Sequence, residues 1–246
     1  TARRLGVIAH VSESTGVRFA VHLGYDGYPS MQKALQELIR GKLTSIQRIQ
    51  VSHDQMSGGD VLGSVMQRDM NSIHIDRAEF DRVVELLLGA EHIYLLGVRS
   101  SAFLAGYLNF YMQLLFKNLT LVQSSVSGSI FEQLVQIGPG DVLLGISFPR
   151  YSKTAVNAVQ YARERGAEVV AITDSRMSPL YQAAQASLLV RSDMISFVDS
   201  MAAPLSLLNA LILALGRRKS KEVSGTFAEL ERVWSKYSVF GKADDE

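Results

Sequence analysis

The stretch GISFPRYSKTAVNAVQYARERGAEVVAITDS, residues 145–175, decides the fold of this 246-residue chain. It begins at the end of an apolar run, continues through a helical apolar period from Ala155 to Ala162, and closes in a second apolar run. Strand, helix and strand in this order predict a parallel βαβ unit. The corner between the first strand and the helix gathers several hydroxyl side chains, namely Ser147, Tyr151, Ser152 and Thr154.

The same alternation extends over the chain from Asp76 onward. Five apolar runs, HIYLLGV, LTLVQSS, DVLLGISF, EVVAITDS and SLLVRS, are separated by helical patterns. Apolar runs of this kind are typical of strands that are buried on both faces. We therefore predict an α/β fold with a five-stranded, parallel, doubly wound sheet over residues 76–246. Residues 1–40 show short helical patterns, and the polar residues 41–75 predict a helical linker.

The composition is typical of a soluble globular protein, with 47% hydrophobic residues, 20% charged residues and a net charge of +1. The chain has no cysteine, which excludes disulfides and cysteine-based metal sites. The longest apolar stretch, residues 201–215, contains Pro204 and Asn209 and is shorter than the ~18 residues that a membrane span needs. No signal peptide pattern opens the sequence, so we expect a cytoplasmic protein that does not enter a membrane.

Each of the first four apolar runs ends in a polar corner: GVRSSA, QSSVSGS, SFPRYSKT and TDSRMS. Doubly wound sheets bind ligands beyond the carboxyl ends of their strands, and helix N-termini bind anions. We interpret Ser100 and Ser101, and likewise Ser152 and Thr154, as contacts to a phosphate or hydroxyl group. A single serine before a helix is more often only an N-cap. Hydroxyl clusters at two strand ends favour a ligand, because one cap needs only one oxygen.

Other nucleotide and metal sites fit the sequence less well. A dinucleotide site has Gly-x-Gly-x-x-Gly after its first strand, whereas VRSSA follows Gly97 here. The sequence contains no Gly-x-x-x-x-Gly-Lys-[Ser/Thr] motif, which argues against a P-loop. The five histidines show no spacing typical of metal ligands. We predict neither a cofactor nor a metal.

Three segments, GVRSSAFLAG, ISFPRYSKTAVNAVQYARERGAEVVAITDS and SFVDSMAAPLSLLNAL, resemble the sugar isomerase (SIS) domain of RpiR-type bacterial transcriptional regulators. The resemblance covers roughly residues 76–216 and implies a flavodoxin-like fold that binds a phosphorylated sugar. It implies that serines and threonines after the first and third strands hold the phosphate. The ligand residues expected from it are Ser100, Ser101, Ser147, Ser152 and Thr154, with Ser200 near the sugar ring.

Residues 11–38 resemble the second half of the helix-turn-helix of the same regulators. The resemblance implies that residues 1–40 are a partial DNA-binding module whose recognition helix enters the major groove of double-stranded operator DNA. The contacts expected are Ser12, Ser14, Thr15 and Arg18.

Three features of this module differ from the family pattern. The chain opens at TARRLG, which corresponds to the second helix, so we expect further residues upstream. Four more residues than in the family's tight turn lie between Gly6 and Ser12, and Gly16 stands where the family has an aliphatic residue. A glycine inside a helix costs about 1 kcal/mol relative to alanine.

The resemblance implies a non-enzymatic regulator of a carbohydrate catabolic operon that acts as a homodimer or homotetramer. The alternative is an aldose–ketose sugar phosphate isomerase that uses the same pocket and needs a general base over the sugar. The sequence offers Asp193 and Asp199 after the fifth strand, and Glu132 and His92 elsewhere, for that role. A SIS module that acts on a partner protein is a third interpretation, which the helix-turn-helix resemblance disfavours.

Overall fold

The structure is a computed structural model that describes residues 2–40, 44, 46–48, 61–70, 76–123, 129–192 and 198–240. The chain divides into two compact units, Thr1–Ser57 and Gly58–Glu246. Most of the linker predicted over residues 41–75 lies outside the described residues. Its described helix, α4 (Val61–Met70), belongs to the second unit.

Up to residue 40, the first unit folds into the helices α1 (Ala2–Ala9), α2 (Glu13–His22) and α3 (Tyr28–Arg40). The chain turns between α1 and α2 where the Val11 amide donates to the Gly6 carbonyl at 2.9 Å. A Cβ added to Gly6 would lie 2.7 Å from the Val11 carbonyl oxygen, so a side chain there would clash with the turn. The extra residues before Ser12 thus lengthen α1 and form this turn.

The second unit is built on five parallel strands: β1 (Ile93–Gly97), β2 (Leu119–Val122), β3 (Val142–Ile146), β4 (Glu168–Thr173) and β5 (Ala186–Leu189). Their order across the sheet is β2-β1-β3-β4-β5. The helices around them are α5 (Arg77–Gly89), α6 (Ser101–Met112), α7 (Ser129–Gln133), α8 (Lys153–Glu164), α9 (Pro179–Ala183), α10 (Ala202–Arg218) and α11 (Ser220–Tyr237). The predicted five-stranded parallel sheet is confirmed.

Two apolar cores lie on opposite faces of the sheet. On β1, Ile93 and Leu95 pack in one core while Tyr94 and Leu96 pack in the other, because alternate side chains of a strand point to opposite faces. The first core includes residues of α5, α6 and α10. The second includes residues of α8 and α9 and the segment around α7. The sheet is therefore doubly wound, as predicted.

The turn after β1 is tight because α6 begins only a few residues beyond Gly97. A Cβ added to Gly97 would lie 2.2 Å from the Ser101 carbonyl oxygen, closer than any real contact. Arg99 forms part of this turn with a positive φ of 60°.

Within the described residues, no helix is both long enough and apolar enough to cross a membrane.

We predict that Gly97→Ala destabilises the protein by about 3 kcal/mol or more, because the added methyl group forces backbone movement where β1 meets α6. Gly106→Ala is the matched control, since a Cβ at Gly106 of α6 meets no atom within 4 Å. The control should gain about 0.5–1 kcal/mol from helix propensity. Urea unfolding of the two variants measures the difference, and equal midpoints would contradict the clash.

Candidate ligand-binding site

The two serine-rich corners leave the sheet side by side. β1 pairs directly with β3, and Gly97 at the end of β1 is in register with Ile146 at the end of β3. Ser100 and Ser101 follow the first of these residues, and Ser147 follows the second. The corners after β1 and β3 thus start from paired positions of neighbouring strands.

The connections that follow β1 and β3 run to opposite faces of the sheet. α6 follows β1 and packs in the core on one face, whereas α8 follows β3 and packs in the core on the other face. A crevice opens where two connections part in this way, which is the topological switch point of a doubly wound sheet. α6 and α8 both begin at this point.

Ser152 occupies the N-cap position of α8, with an extended backbone (φ −72°, ψ 124°). Its hydroxyl makes no capping hydrogen bond with the first turn of α8, a turn that the structure describes in full. Asp76 and Ser178, in contrast, cap α5 and α9 with their side chains. Capping therefore does not account for the Ser152 side chain, which is half-buried beside the exposed Thr154.

The corner after β1 has the same character. Ser100 precedes α6, is exposed, and makes no side-chain cap to the fully described first turn of that helix. Ser101 is the first residue of α6 and is only 4% exposed. The described first turns of α6 and α8 contain no acidic residue that would oppose an anion.

The hydroxyls after β4 have internal partners instead. Thr173 is fully buried, donates from Oγ1 to the Ser147 carbonyl at 2.8 Å, and lies 2.8 Å from Ser178 Oγ. Ser178 Oγ in turn accepts from the Leu180 amide at 3.3 Å, and Ser175 Oγ accepts from the Met177 amide at 3.0 Å. Thr173 thus ties the end of β4 to the β3 corner, while Ser175 and Ser178 brace the β4 corner itself. Of the corner after β2, residues 124–128 lie outside the described part of the chain.

A tyrosine that the sequence analysis did not assign to the site also links these corners. The Tyr151 hydroxyl donates to Asp174 Oδ1 at 2.8 Å, which ties the loop before α8 to the end of β4. The place of both residues in the polar corners SFPRYSKT and TDSRMS was the available signal. Their pairing could not be inferred, because it depends on β3 and β4 being neighbours.

A cavity of 530 Å³ opens beside the corner after β1. Its polar lining comes from Ser100 and Asp199, and the rest is apolar, from Phe103, Leu104, Tyr107, Val198, Met201 and Leu205. The structure thus places Ser100 on this cavity. Ser147, Ser152 and Thr154 lie at the adjacent strand end and are not among its described lining residues.

Ser200, expected near a sugar ring, makes contacts within the protein. Its hydroxyl donates to Asp69 Oδ1 of α4 and accepts from the Ala202 amide at 3.3 Å. The side chain is 6% exposed. The single hydroxyl proton of Ser200 is already donated, so a contact to a sugar would have to use its remaining lone pair or replace one of these bonds. The assignment of Ser200 to the ligand site stays a prediction.

The residues considered as a general base are spread over the fold. His92 precedes β1, at the amino end of the strands, where its ring bonds Thr120 Oγ1 at 2.8 Å. That position is at the edge opposite the serine corners. Glu132 is exposed on α7, Asp199 lines the cavity, and Asp193 lies outside the described residues.

Two tyrosines of this unit have shifted acidities. Burial and then the neighbouring Tyr111 raise the pKa of Tyr107. Its hydroxyl donates to Asn209 Oδ1 at 2.6 Å, which joins α6 to α10. Burial and then the charge of Asp141 raise the pKa of Tyr94 on β1.

Across the described residues, no group of three or more histidine, aspartate or glutamate side chains is arranged to hold a metal ion.

The residues expected to contact DNA lie together at the start of α2 in the first unit. Ser12 Oγ accepts from the Thr15 amide at 3.2 Å and lies 2.8 Å from both Ser14 Oγ and Thr15 Oγ1. All three hydroxyls are exposed, as is Arg18 one turn later. Gly16 is buried, and a Cβ there would be 4.0 Å from the Tyr28 ring. The cost of this glycine is thus one of helix propensity, since an alanine would fit.

Comparison with known proteins identifies the family. Residues 86–214 match the model of the SIS domain, and the chain belongs to this family. An uncharacterised HTH-type transcriptional regulator of Caldanaerobacter subterraneus subsp. tengcongensis is 23% identical over 223 residues, covering 86% of this chain and 77% of that protein. A second one, of Clostridium perfringens, is 24% identical over 180 residues, covering 69% of this chain and 62% of that protein, less than two thirds of its length.

Solved structures of low identity share the fold. The sugar isomerase domain of an RpiR transcription factor from Sphaerobacter thermophilus has a TM-score of 0.65 at 23% identity, covering 69% of this chain and 97% of that chain. The NanR protein of Vibrio vulnificus, solved with ManNAc-6P, has a TM-score of 0.64 at 23% identity, covering 98% of this chain and 87% of that chain. The expected SIS domain is thus confirmed by the family model, and these structures share its fold.

We predict that Thr173→Val destabilises the protein by about 1–3 kcal/mol, because it removes the buried hydrogen bond to the Ser147 carbonyl and the contact with Ser178 Oγ. Thr154→Val is the matched control, since the exposed Thr154 should tolerate the change within about 0.5 kcal/mol. Urea unfolding without ligand tests both variants. Equal losses of stability in the two variants would contradict the conclusion that the Thr173 hydroxyl, unlike that of Thr154, stabilises the fold.

Proposed function

We propose that this protein is a phosphosugar-responsive, DNA-binding transcriptional regulator of a carbohydrate catabolic operon. The observation that carries the proposal is the pair of helix N-termini at the β1–β3 switch point, whose serines are not used as caps. The names of the relatives, HTH-type transcriptional regulators, support the DNA-binding half. The complex of the Vibrio NanR protein with ManNAc-6P supports a sugar phosphate as effector.

The proposed phosphate site follows from elementary electrostatics. Each helix N-terminus carries partial positive charge and unpaired amide groups, so two of them at one crevice favour a doubly charged anion. Ser100, Ser101, Ser147, Ser152 and Thr154 add hydroxyl donors for the phosphate oxygens. The proposed sugar lies toward the cavity beside Ser100.

The exposed basic residues of the two corners reinforce this assignment. Arg99 precedes the serines after β1, and Lys153 is the first residue of α8. Neither corner carries a carboxylate within its described residues before the first helical turn ends. A phosphate at this edge of the sheet thus meets donors and positive charge from both strands.

The positions of the carboxylates favour a protein that binds the sugar phosphate without converting it. Isomerisation needs a general base within hydrogen-bond reach of the sugar carbons. His92 lies at the opposite edge of the sheet, and Glu132 is exposed on α7. Asp199, which lines the cavity with Ser100, is the observation that favours the alternative, an aldose–ketose phosphate isomerase.

The proposed regulator is a cytoplasmic homodimer or homotetramer, since an operator of two half-sites is read by two copies of a DNA-binding module. Ser12, Ser14, Thr15 and Arg18 are the proposed contacts in each copy. The ligand must bind the DNA-competent and DNA-incompetent arrangements with different affinities, or it would shift nothing. A tenfold change in operator affinity needs about 1.4 kcal/mol of such coupling.

We predict that Ser152→Ala weakens sugar phosphate binding at least about tenfold, because a hydrogen bond to a charged group contributes about 1.5–3 kcal/mol. The stability without ligand should change little, since the Ser152 hydroxyl is not a cap. Thermal-shift titration with hexose 6-phosphates and N-acetylhexosamine 6-phosphates, ManNAc-6P among them, measures the loss.

Ser235→Ala, an exposed serine on α11, is the control and should keep the full ligand response. An unchanged response in Ser152→Ala would remove this corner from the site. Conversion of an aldose phosphate into a ketose phosphate in the same incubations would establish the isomerase instead.

The DNA-binding half is tested with the natural full-length protein and the DNA upstream of its own gene. We predict that Arg18→Ala weakens this binding by about 1–3 kcal/mol, whereas Arg82→Ala, an exposed surface arginine of α5, leaves it unchanged. Gel-shift titrations at several salt concentrations measure both, since phosphate contacts make affinity fall with salt. Absence of salt-dependent binding would reject the regulator.

A further inference from the structure

A buried hydroxyl joins the helix α4 to the start of α10. Ser200 donates its hydroxyl proton to Asp69 Oδ1 on α4, and its oxygen accepts from the amide of Ala202, the first residue of α10, at 3.3 Å. Ser200 is 6% exposed, so water competes little for either bond. A hydrogen bond between a hydroxyl and a carboxylate is stronger than one between neutral groups. The Asp69–Ser200 bond therefore contributes to holding α4 against α10.

The helix α4 depends on contacts of this kind. It has ten residues, fewer than the ~12–15 that an isolated helix needs to be stable in water. It packs against α10. Among its residues whose side chains the structure describes, none is fully buried. Loss of the Asp69–Ser200 bond should therefore favour a state in which α4 is released from α10.

The segment that carries Ser200 also forms one wall of the cavity beside Ser100. Val198, Asp199 and Met201 line this cavity, whereas its described lining does not include Ser200. Val198 is 51% exposed, so this wall has room for a ligand to pack against it. One short segment thus faces the cavity with the neighbours of Ser200 and bonds α4 with Ser200 itself.

We propose that binding of a sugar phosphate in this cavity and docking of α4 through the Asp69–Ser200 bond stabilise each other. The inference rests on the proposed function and names the contact through which the site is regulated. A ligand that packs against Val198 and Met201 restricts the segment. The restricted segment then holds the Ser200 hydroxyl in place for Asp69. The conformational entropy of the segment is lost once for both events, which makes them cooperative.

The position of α4 in the chain gives this contact a regulatory meaning. α4 is the first described helix of the second unit, and the chain before it continues into the first unit. The proposed DNA contacts, from Ser12 to Arg18, belong to that unit. Release or docking of α4 thus changes where the connection to the proposed DNA-binding module begins.

The sign of the coupling separates this role from simpler ones. Asp69 carries a negative charge, so electrostatics alone predicts that its removal strengthens the binding of an anion. Direct contact of Ser200 with the sugar predicts the same, because loss of Asp69 frees the hydroxyl proton for the ligand. Asp69 and Ser200 as positioning residues predict the opposite, since by linkage the ligand binds less tightly when α4 is released.

We predict that Asp69→Ala and Ser200→Ala each weaken sugar phosphate binding about fivefold or more, the lower end of coupling between sites. The double variant should lose no more than either single variant, because both changes break the same bond. Asp69→Asn keeps an acceptor oxygen and should lose less than Asp69→Ala. Isothermal titration calorimetry of the full chain with hexose 6-phosphates and N-acetylhexosamine 6-phosphates measures the affinities.

Thr120→Val is the matched control for these variants. It removes a half-buried hydroxyl that lies 2.8 Å from the His92 ring, at the edge of the sheet opposite the serine corners. It should lower the unfolding midpoint in urea, as Ser200→Ala does, yet keep the wild-type affinity for the ligand. A general loss of stability is thereby separated from a loss of coupling.

Amide hydrogen exchange of residues 61–70 reports the docking of α4 directly. A sugar phosphate should slow this exchange about fivefold in the wild-type chain, because the coupling is reciprocal. It should not slow the exchange in Ser200→Ala. Inorganic phosphate should not slow it in either protein, because this ion fills only the serine corners and makes no contact with the cavity wall.

Unchanged or stronger binding by Asp69→Ala would overturn the inference. So would additive losses in the double variant, equal losses in Asp69→Asn and Asp69→Ala, or a bound sugar phosphate that leaves the exchange of residues 61–70 unchanged in the wild-type chain. In each of these cases the wild-type protein still binds the ligand, so the proposed sensor stands. A wild-type protein that binds none of the sugar phosphates would reject the sensor and this inference together.

Discussion

The direct hydrogen-bonded pairing of β1 with β3 is the constraint on which the candidate site depends. Gly97 and Ile146 stand opposite each other at the ends of these strands, so the two chains leave the sheet at one place. The helices that follow pack on opposite faces and cannot cover the gap between them. Two helix N-termini therefore start at one switch point, and this arrangement makes the serines there a candidate site.

Much of this arrangement is readable from the sequence because it depends on local patterns. Five apolar runs separated by helical periods predict the number of strands and their parallel direction. The corner serines follow these runs directly, so their place at the carboxyl edge is predicted as well. The pairing of the first strand with the third comes from the structure, since periodicity alone does not give strand order.

The remaining features depend on contacts between distant parts of the chain. Ser200 bonds Asp69, which is 131 residues away in the sequence, so a serine that resembles a ligand residue also holds α4. Thr173 looks like another corner hydroxyl, and its burial under the Ser147 carbonyl appears only once β3 and β4 are neighbours. The family pattern has a tight turn soon after the position of Gly6, whereas α1 of this chain continues to Ala9. Here the positive φ of 55° at His10 ends the helix.

The cross-braces between β3 and β4 have a consequence for the energetics of recognition. Tyr151 is tethered to Asp174, and the Ser147 carbonyl is tethered to Thr173, before any effector arrives. A segment that is already immobilised loses little conformational entropy when a ligand binds to it. More of the interaction free energy is therefore retained as binding affinity. Such a rigid cradle suits a sensor, because a modest number of donors then suffices to discriminate an esterified sugar from its neutral parent.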